Sequence, residues 1–136
     1  MRLWHYSLIP YLPKSQLIAQ WRELNSIFKN QPKHILINYI YDYQKDDLFS
    51  YTVMVNLELM KRKINIKSYD NVNNYFGKIC YEFIEEPFKN HHNKRYLFQC
   101  FYNLEEKFDR GQKDFTQEEY DKLNYFIREE LYNKCI

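Results

Sequence analysis

From Gln16 to Lys29 the apolar residues fall at Leu17, Ile18, Trp21, Leu24, Ile27 and Phe28. Steps of three and four predict a helix with one buried stripe. Pro32 ends it, because the residue before a proline disfavours helical backbone. Pro10 and Pro13 predict a stiff, extended opening ahead of it, and Ile35 to Tyr43 reads as a short buried connector. Asp46 or Asp47 is placed to cap a second helix running to about Lys63. Its stripe is Leu48, Phe49, Thr52, Val53, Leu57 and Met60, widened by Val55 and Leu59, and Lys61-Arg62-Lys63 suits its C-terminal end. A polar stretch, Ser68–Asn74, precedes a short helix from Tyr75 to Glu86 that Pro87 stops. From Asn93 to Arg110 the helical period returns with Tyr96, Leu97, Cys100, Phe101, Leu104 and Phe108, and Gly111 follows where a helix end takes a left-handed residue. Thr116 and Glu119 form a capping box, with Phe115 stapling onto Tyr120. The helix they start runs to about Tyr132, with Leu123, Phe126, Ile127 and Leu131 inward. Neither repeat nor linker divides residues 1–136. The pattern predicts an all-α, compact single-domain helical bundle with an extended N-terminal segment packed between helices.

Composition narrows what such a bundle does. A chain of 136 residues buries one core without disulfides or metal. Two glycines, Gly77 and Gly111, are too few for a dinucleotide fingerprint and wrongly spaced for a phosphate loop. Twenty Lys and Arg against 18 Asp and Glu leave a net charge of +2, so a nucleic-acid footprint has to come from segregated charge. Fourteen Tyr, ten Phe and two Trp are chiefly core material; Tyr39 or Tyr75 are the candidates for stacking on an unstacked base. Cys80, Cys100 and Cys135, odd in number and far apart, form no disulfide framework and point to a reducing, cytoplasmic setting. The first residues lack the apolar run of a signal peptide, and no run is long enough to span a membrane. His91 and His92 are adjacent and diverge on a helix, zinc spacings are absent, and no serine sits in a nucleophile elbow. No cofactor and no metal are expected.

The polar side of the first helix carries the one constellation of interest. Glu23 lies away from the apolar stripe, flanked by Gln16 and Gln20 on one side and by Arg22, Ser26 and Lys29 on the other. A carboxylate among amides and cations suits proton transfer, and an ordinary solvated helix face has the same look.

A resemblance separates the two. Gln16-Leu17-Ile18-Ala19-Gln20-Trp21-Arg22-Glu23-Leu24, followed by Lys33-His34, resembles the first helix of the phage-type pyrimidine-dimer DNA glycosylases with AP-lyase activity, the endonuclease V type. Met1-Arg2-Leu3-Trp4-His5 and Leu8-Ile9-Pro10-x-Leu12-Pro13 look like a bacterial branch of that family. The likeness resumes at Leu59-Met60-Lys61-Arg62 with Asn65-Ile66, and at Asn103-Leu104-Glu105-Glu106-Lys107.

The resemblance implies an enzyme whose N-terminal α-amine attacks the sugar C1′, expels the damaged base and forms an imine, while a glutamate of the first helix assists ring opening and strand nicking. Carried over by position, the Met1 amine is the nucleophile and Glu23 the carboxylate. Arg2, Arg22, Lys29, Lys33, His34 and Lys107 become DNA contacts, although any of them also serves as ordinary solubilising charge. An α-amine has a reference pKa of about 7.7–8.0, so near neutral pH a useful fraction is unprotonated. The implied partner is double-stranded DNA with dimers or abasic sites, bound by a monomer without a membrane. The chain departs from the phage pattern in three ways. Bulky Arg2 implies that Met1 is retained, Ser26 and Asn103 stand where those enzymes carry DNA-contacting arginines, and the aromatic tail gives way to the Thr116-capped helix. Tyr75-Phe76-Gly77-Lys78 resembles that tail's motif at another place. Trp4 and His5, so close to the amine, are props for it rather than walls of the site. The alternative is a non-catalytic DNA-binding or interaction protein on the same helical scaffold.

Overall fold

A computed structural model describes residues 1–134, with side chains through Leu131; Cys135 lies outside the described residues. Five α-helices follow an N-terminal segment: α1 (Lys14–Asn30), α2 (Lys45–Lys61), α3 (Asp70–Phe76), α4 (Lys94–Asp109) and α5 (Gln117–Lys134). There are no strands among the described residues, so the chain is all-α as the periodicity predicts. α1 packs on α2 and α3, and α4 packs on α5. The N-terminal segment lies against both α2 and α5, and its Leu3, Trp4, Leu8, Ile9 and Leu12 belong to the same buried cluster as Leu17, Leu24, Tyr51, Leu104 and Leu123. No described helix is long and apolar enough to cross a membrane.

Several expectations need correcting. The opening is extended only to His5; Tyr6–Tyr11 then winds as a 3₁₀ helix with Pro10 inside it, and the His5 ring caps it by accepting the Ser7 N–H. α2 has no side-chain cap. Asp46 and Asp47 instead turn outward to accept the backbone N–H groups of Glu82 and Phe88, tying down the irregular stretch before α4. The buried side of α2 is Leu48, Tyr51, Thr52, Val55 and Leu59, while Leu57 and Met60 are exposed. That segment is apolar almost all round, so its period alone did not orient it. The short helix starts earlier than Tyr75–Glu86 and shares only Tyr75 and Phe76 with it: α3 ends at Phe76 and is followed by Gly77, whose φ of 66° is a conformation open to glycine. Leu131, expected inward on α5, is exposed.

The connector from Ile35 to Tyr43 is also different. Only Ile37 and Ile40 are buried in it, the latter in a 3₁₀ turn over Asn38–Asp42, and Ile35 is 87% exposed.

Two helix boundaries bear on the site. α1 has no cap of its own; Asp114, from the loop between α4 and α5, accepts the Ser15 N–H at 2.6 Å and the Ser15 hydroxyl at 3.0 Å. A carboxylate there also complements the helix dipole. α5 begins with the expected box: the Glu119 N–H reaches the Thr116 hydroxyl at 3.1 Å, and Phe115 is buried against Tyr120. Gly111 takes the left-handed position after α4 (φ 82°), and the N–H of Gln112 returns to the Lys107 carbonyl in a Schellman closure.

Candidate active site at the chain's first residues

The amide spacing on α1 does more than decorate a polar face. Gln20 precedes Glu23 by one turn, so their side chains meet. Gln20 is 1% exposed, covered by the N-terminal segment. Its Oε1 accepts the Trp4 N–H at 2.8 Å and the Tyr51 hydroxyl at 2.9 Å. Its Nε2 donates to the Arg2 carbonyl at 3.0 Å and to Glu23 Oε2 at 3.1 Å. All four hydrogen-bonding positions of the amide are thus used, and one side chain fixes both the segment and the carboxylate.

Other elements hold the same segment by its backbone. From α2, the single proton of the Tyr51 hydroxyl is shared between the Trp4 carbonyl at 2.6 Å and Gln20 Oε1, and the Arg62 guanidinium donates to the carbonyls of Leu12 and Pro10 at 2.7 and 3.0 Å. From α4, the Tyr96 hydroxyl donates to the Leu3 carbonyl. Before α4, His92 Nδ1 accepts the Tyr6 N–H at 3.2 Å, with its Nε2 on the Tyr39 hydroxyl at 2.6 Å.

Apart from the Arg62 guanidinium, this support is largely buried and uncharged. Burial pulls the His5 imidazole down to about 4 and that of His92 to about 2. It pushes the phenols of Tyr39, Tyr51 and Tyr96 and the Cys100 thiol upward. His5, at 4% exposure, packs in the interior as a prop would; Trp4, at 6%, is as buried but also lines the cavity that contains Glu23, so it is a wall as well as a prop.

The segment delivers its start to Glu23. The Arg2 backbone nitrogen donates to Glu23 Oε2 at 3.3 Å. Around that contact opens a cavity of about 230 Å³ lined by Met1, Arg2, Trp4, Gln16, Ala19, Gln20, Glu23, Leu36, Asn103 and Lys107. Glu23 is half-buried and Met1 exposed. The cavity therefore joins a chain terminus, a carboxylate held by two N–H donors, a lysine and an amide on one polar surface.

Of the expected site residues, Met1, Arg2, Glu23 and Lys107 meet here. The half-buried Arg2 guanidinium sits 5.9 Å from the Tyr96 ring centre, a cation–π contact directed towards the interior. Arg22, Lys29, Lys33 and His34 are exposed and do not line the cavity. Within the loop after α1, His34 Nδ1 accepts the Leu36 N–H at 3.1 Å, which leaves the proton of the neutral ring on Nε2. Neither candidate stacking residue presents a free face. Tyr39 lies against His91 at 4.6 Å and bonds His92, whereas Tyr75 packs on Phe28 and Phe76 beneath the Lys45 ammonium.

Sequence reasoning left Gln20 as a flanking amide and missed Tyr51, Tyr96 and Leu36. Gln20 and Glu23, three apart, were legible as neighbours. The two tyrosines arrive from distant helices, and no local pattern marks them.

The scaffold is all-helical, clamps the first residues of its chain and lays them beside a carboxylate in an open polar cavity. The family is explicit: residues 1–72 match the model for pyrimidine dimer DNA glycosylases, and the chain belongs to that family of DNA-repair glycosylases, whose substrate is DNA. No curated protein and no solved structure matches the chain.

Proposed function

We propose that the protein is a DNA glycosylase with AP-lyase activity on pyrimidine dimers or abasic sites, working through an imine formed by its N-terminal amine with the help of Glu23. The observation that carries the reading is the 3.3 Å contact between the Arg2 nitrogen and Glu23, inside a cavity that Met1 also lines. With Met1 as the first residue, its amine is one residue removed from a carboxylate already bound to the segment.

At a dimer the neutral amine attacks C1′, the glycosidic bond breaks, and the base departs with its electron pair; at an abasic site the same attack expels the C1′ hydroxyl as water. Loss of a proton from nitrogen and opening of the C1′–O4′ bond give the imine, and O4′ takes up a proton. Removal of a C2′ proton then drives electrons into the C3′–O bond, and the 3′ phosphate leaves. Glu23 is placed to carry protons between nitrogen, O4′ and C2′ and to stabilise cationic character at the sugar. Lys107 supplies a phosphate contact at the cavity, with Arg22, Lys29, Lys33 and His34 contacting the duplex outside it.

Borohydride tests the reading. Reduction during incubation with abasic or UV-irradiated duplex should give a covalent protein–DNA adduct. Binding with no adduct on either substrate favours the non-catalytic DNA-binding alternative. The structure also favours one variation. Were Met1 removed, the free amine would be the Arg2 nitrogen, the atom already on Glu23; the intact mass of the purified protein separates the two.

A further inference from the structure

The loop after α1 presents an apolar tip beside the cavity. Ile35 is 87% exposed and Leu36 40%, whereas Ile37 is fully buried. Single exposed aliphatic residues are common on protein surfaces, but this pair sits on a turn that closes its own hydrogen bonds. The His34 carbonyl accepts the N–H groups of Ile37 and Asn38, both at 2.9 Å, and the His34 N–H donates to Asn38 Oδ1 at 2.8 Å. With the Leu36 N–H on the His34 ring, four N–H groups of the turn are bonded within it and Ile37 anchors it in the core, while Ile35 faces outward. Leu36 forms part of the wall that contains Glu23, and the exposed Lys33 precedes the tip.

Resting on the reading of the cavity as the site of attack on DNA, we propose that Ile35 and Leu36 form an apolar wedge that enters the base stack at the lesion. Cationic neighbours hold the backbone while the aliphatic side chains take up the place of stacked bases. The sugar C1′ of a stacked nucleotide lies inside the duplex, and the cavity is too small to admit the duplex itself. Something has to open the stack, and the stacking tyrosines expected from the sequence each already pack on another ring, Tyr39 on His91 and Tyr75 on Phe28. Leu36 belongs to both surfaces, so bases parted by the wedge leave the sugar facing Glu23.

The test uses Ile35, which lies outside the cavity wall and whose replacement leaves the core intact. A duplex is prepared with a tetrahydrofuran abasic analogue and 2-aminopurine opposite it. The wild-type protein should raise 2-aminopurine fluorescence several-fold; Ile35→Ser should abolish most of the rise and Ile35→Leu should retain it. On true abasic sites, nicking of duplex by Ile35→Ser should fall about 10-fold or more, while nicking of the same site in single-stranded DNA stays at the wild-type rate. An unchanged fluorescence rise in Ile35→Ser, no rise with the wild type, or equal loss on duplex and single strand would each overturn the wedge. Absence of borohydride adducts on single-stranded abasic DNA would instead count against the imine mechanism, because no stack needs opening there.

Discussion

Gln20 and Glu23 divide the labour at the site. Glu23 faces the cavity, where its carboxylate is available to a bound sugar; Gln20 lies beneath the N-terminal segment with every polar atom occupied. Replacing Glu23 by Gln keeps the shape and removes the proton-transfer group, so nicking of abasic duplex should fall by about 100-fold or more while binding to the same duplex is retained. Gel assays of nicking and binding measure the two quantities separately, and an unchanged nicking rate would remove Glu23 from the mechanism. Gln20→Leu should act on both structure and rate. It strands the Trp4 N–H and the Arg2 carbonyl, so stability should fall by about 2–4 kcal/mol in urea unfolding. Imine trapping should also slow at temperatures where the variant is fully folded. Gln20→Leu trapping DNA at the wild-type rate when folded would show that the amide serves stability alone.

At the scale of elements, α5 is the part whose local chemistry is most self-contained. Its capping box, staple and Schellman-closed predecessor were legible because each device spans at most six residues. Thr116→Ala removes the acceptor for the Glu119 N–H and should cost about 1 kcal/mol by chemical denaturation. Thr116 does not line the cavity, so nicking by the folded variant should be unaffected. α2 and the stretch after α3 were less legible for the opposite reason. Asp46 and Asp47 look like caps from sequence, yet their partners are Glu82 and Phe88, more than 30 residues away. A connector rich in isoleucine reads as buried, and nothing in its composition shows that Ile35 stands out while Ile37 points in. Half of the candidate site was legible: Glu23 and its relation to the chain's start came from pattern and resemblance. The clamp of Tyr51, Tyr96, His92 and Arg62 depends on tertiary contacts that no spacing records.

Across the whole molecule, side chains from α1, α2, α4 and the loop before α4 converge on the backbone of the first twelve residues. That segment is part of the core and, in the proposed mechanism, the carrier of the reacting end, so the proposal couples core stability to activity. The coupling depends on pH. Burial lowers His5 from its ordinary value near 6.5 to about 4, so the folded state resists a proton that the unfolded chain accepts. The contribution is fully present above pH 6.5 and is lost as pH falls from 6.5 towards 4. Asn supplies the same acceptor for the Ser7 N–H without titrating. Between pH 7 and pH 4 the wild type should therefore lose about 3 kcal/mol more unfolding free energy than His5→Asn. Equal losses in urea titrations at the two pH values would show that His5 is not held neutral. The central claim, that the start of the chain is the nucleophile, is tested most directly by locating the bond it forms. A borohydride-reduced adduct with abasic DNA is digested with a protease and the DNA-bearing peptide identified by mass spectrometry. The deoxyribose should lie on the α-nitrogen of the first residue, in the N-terminal peptide; an adduct on a lysine side chain, Lys107 included, would show that the chain's start is not the nucleophile.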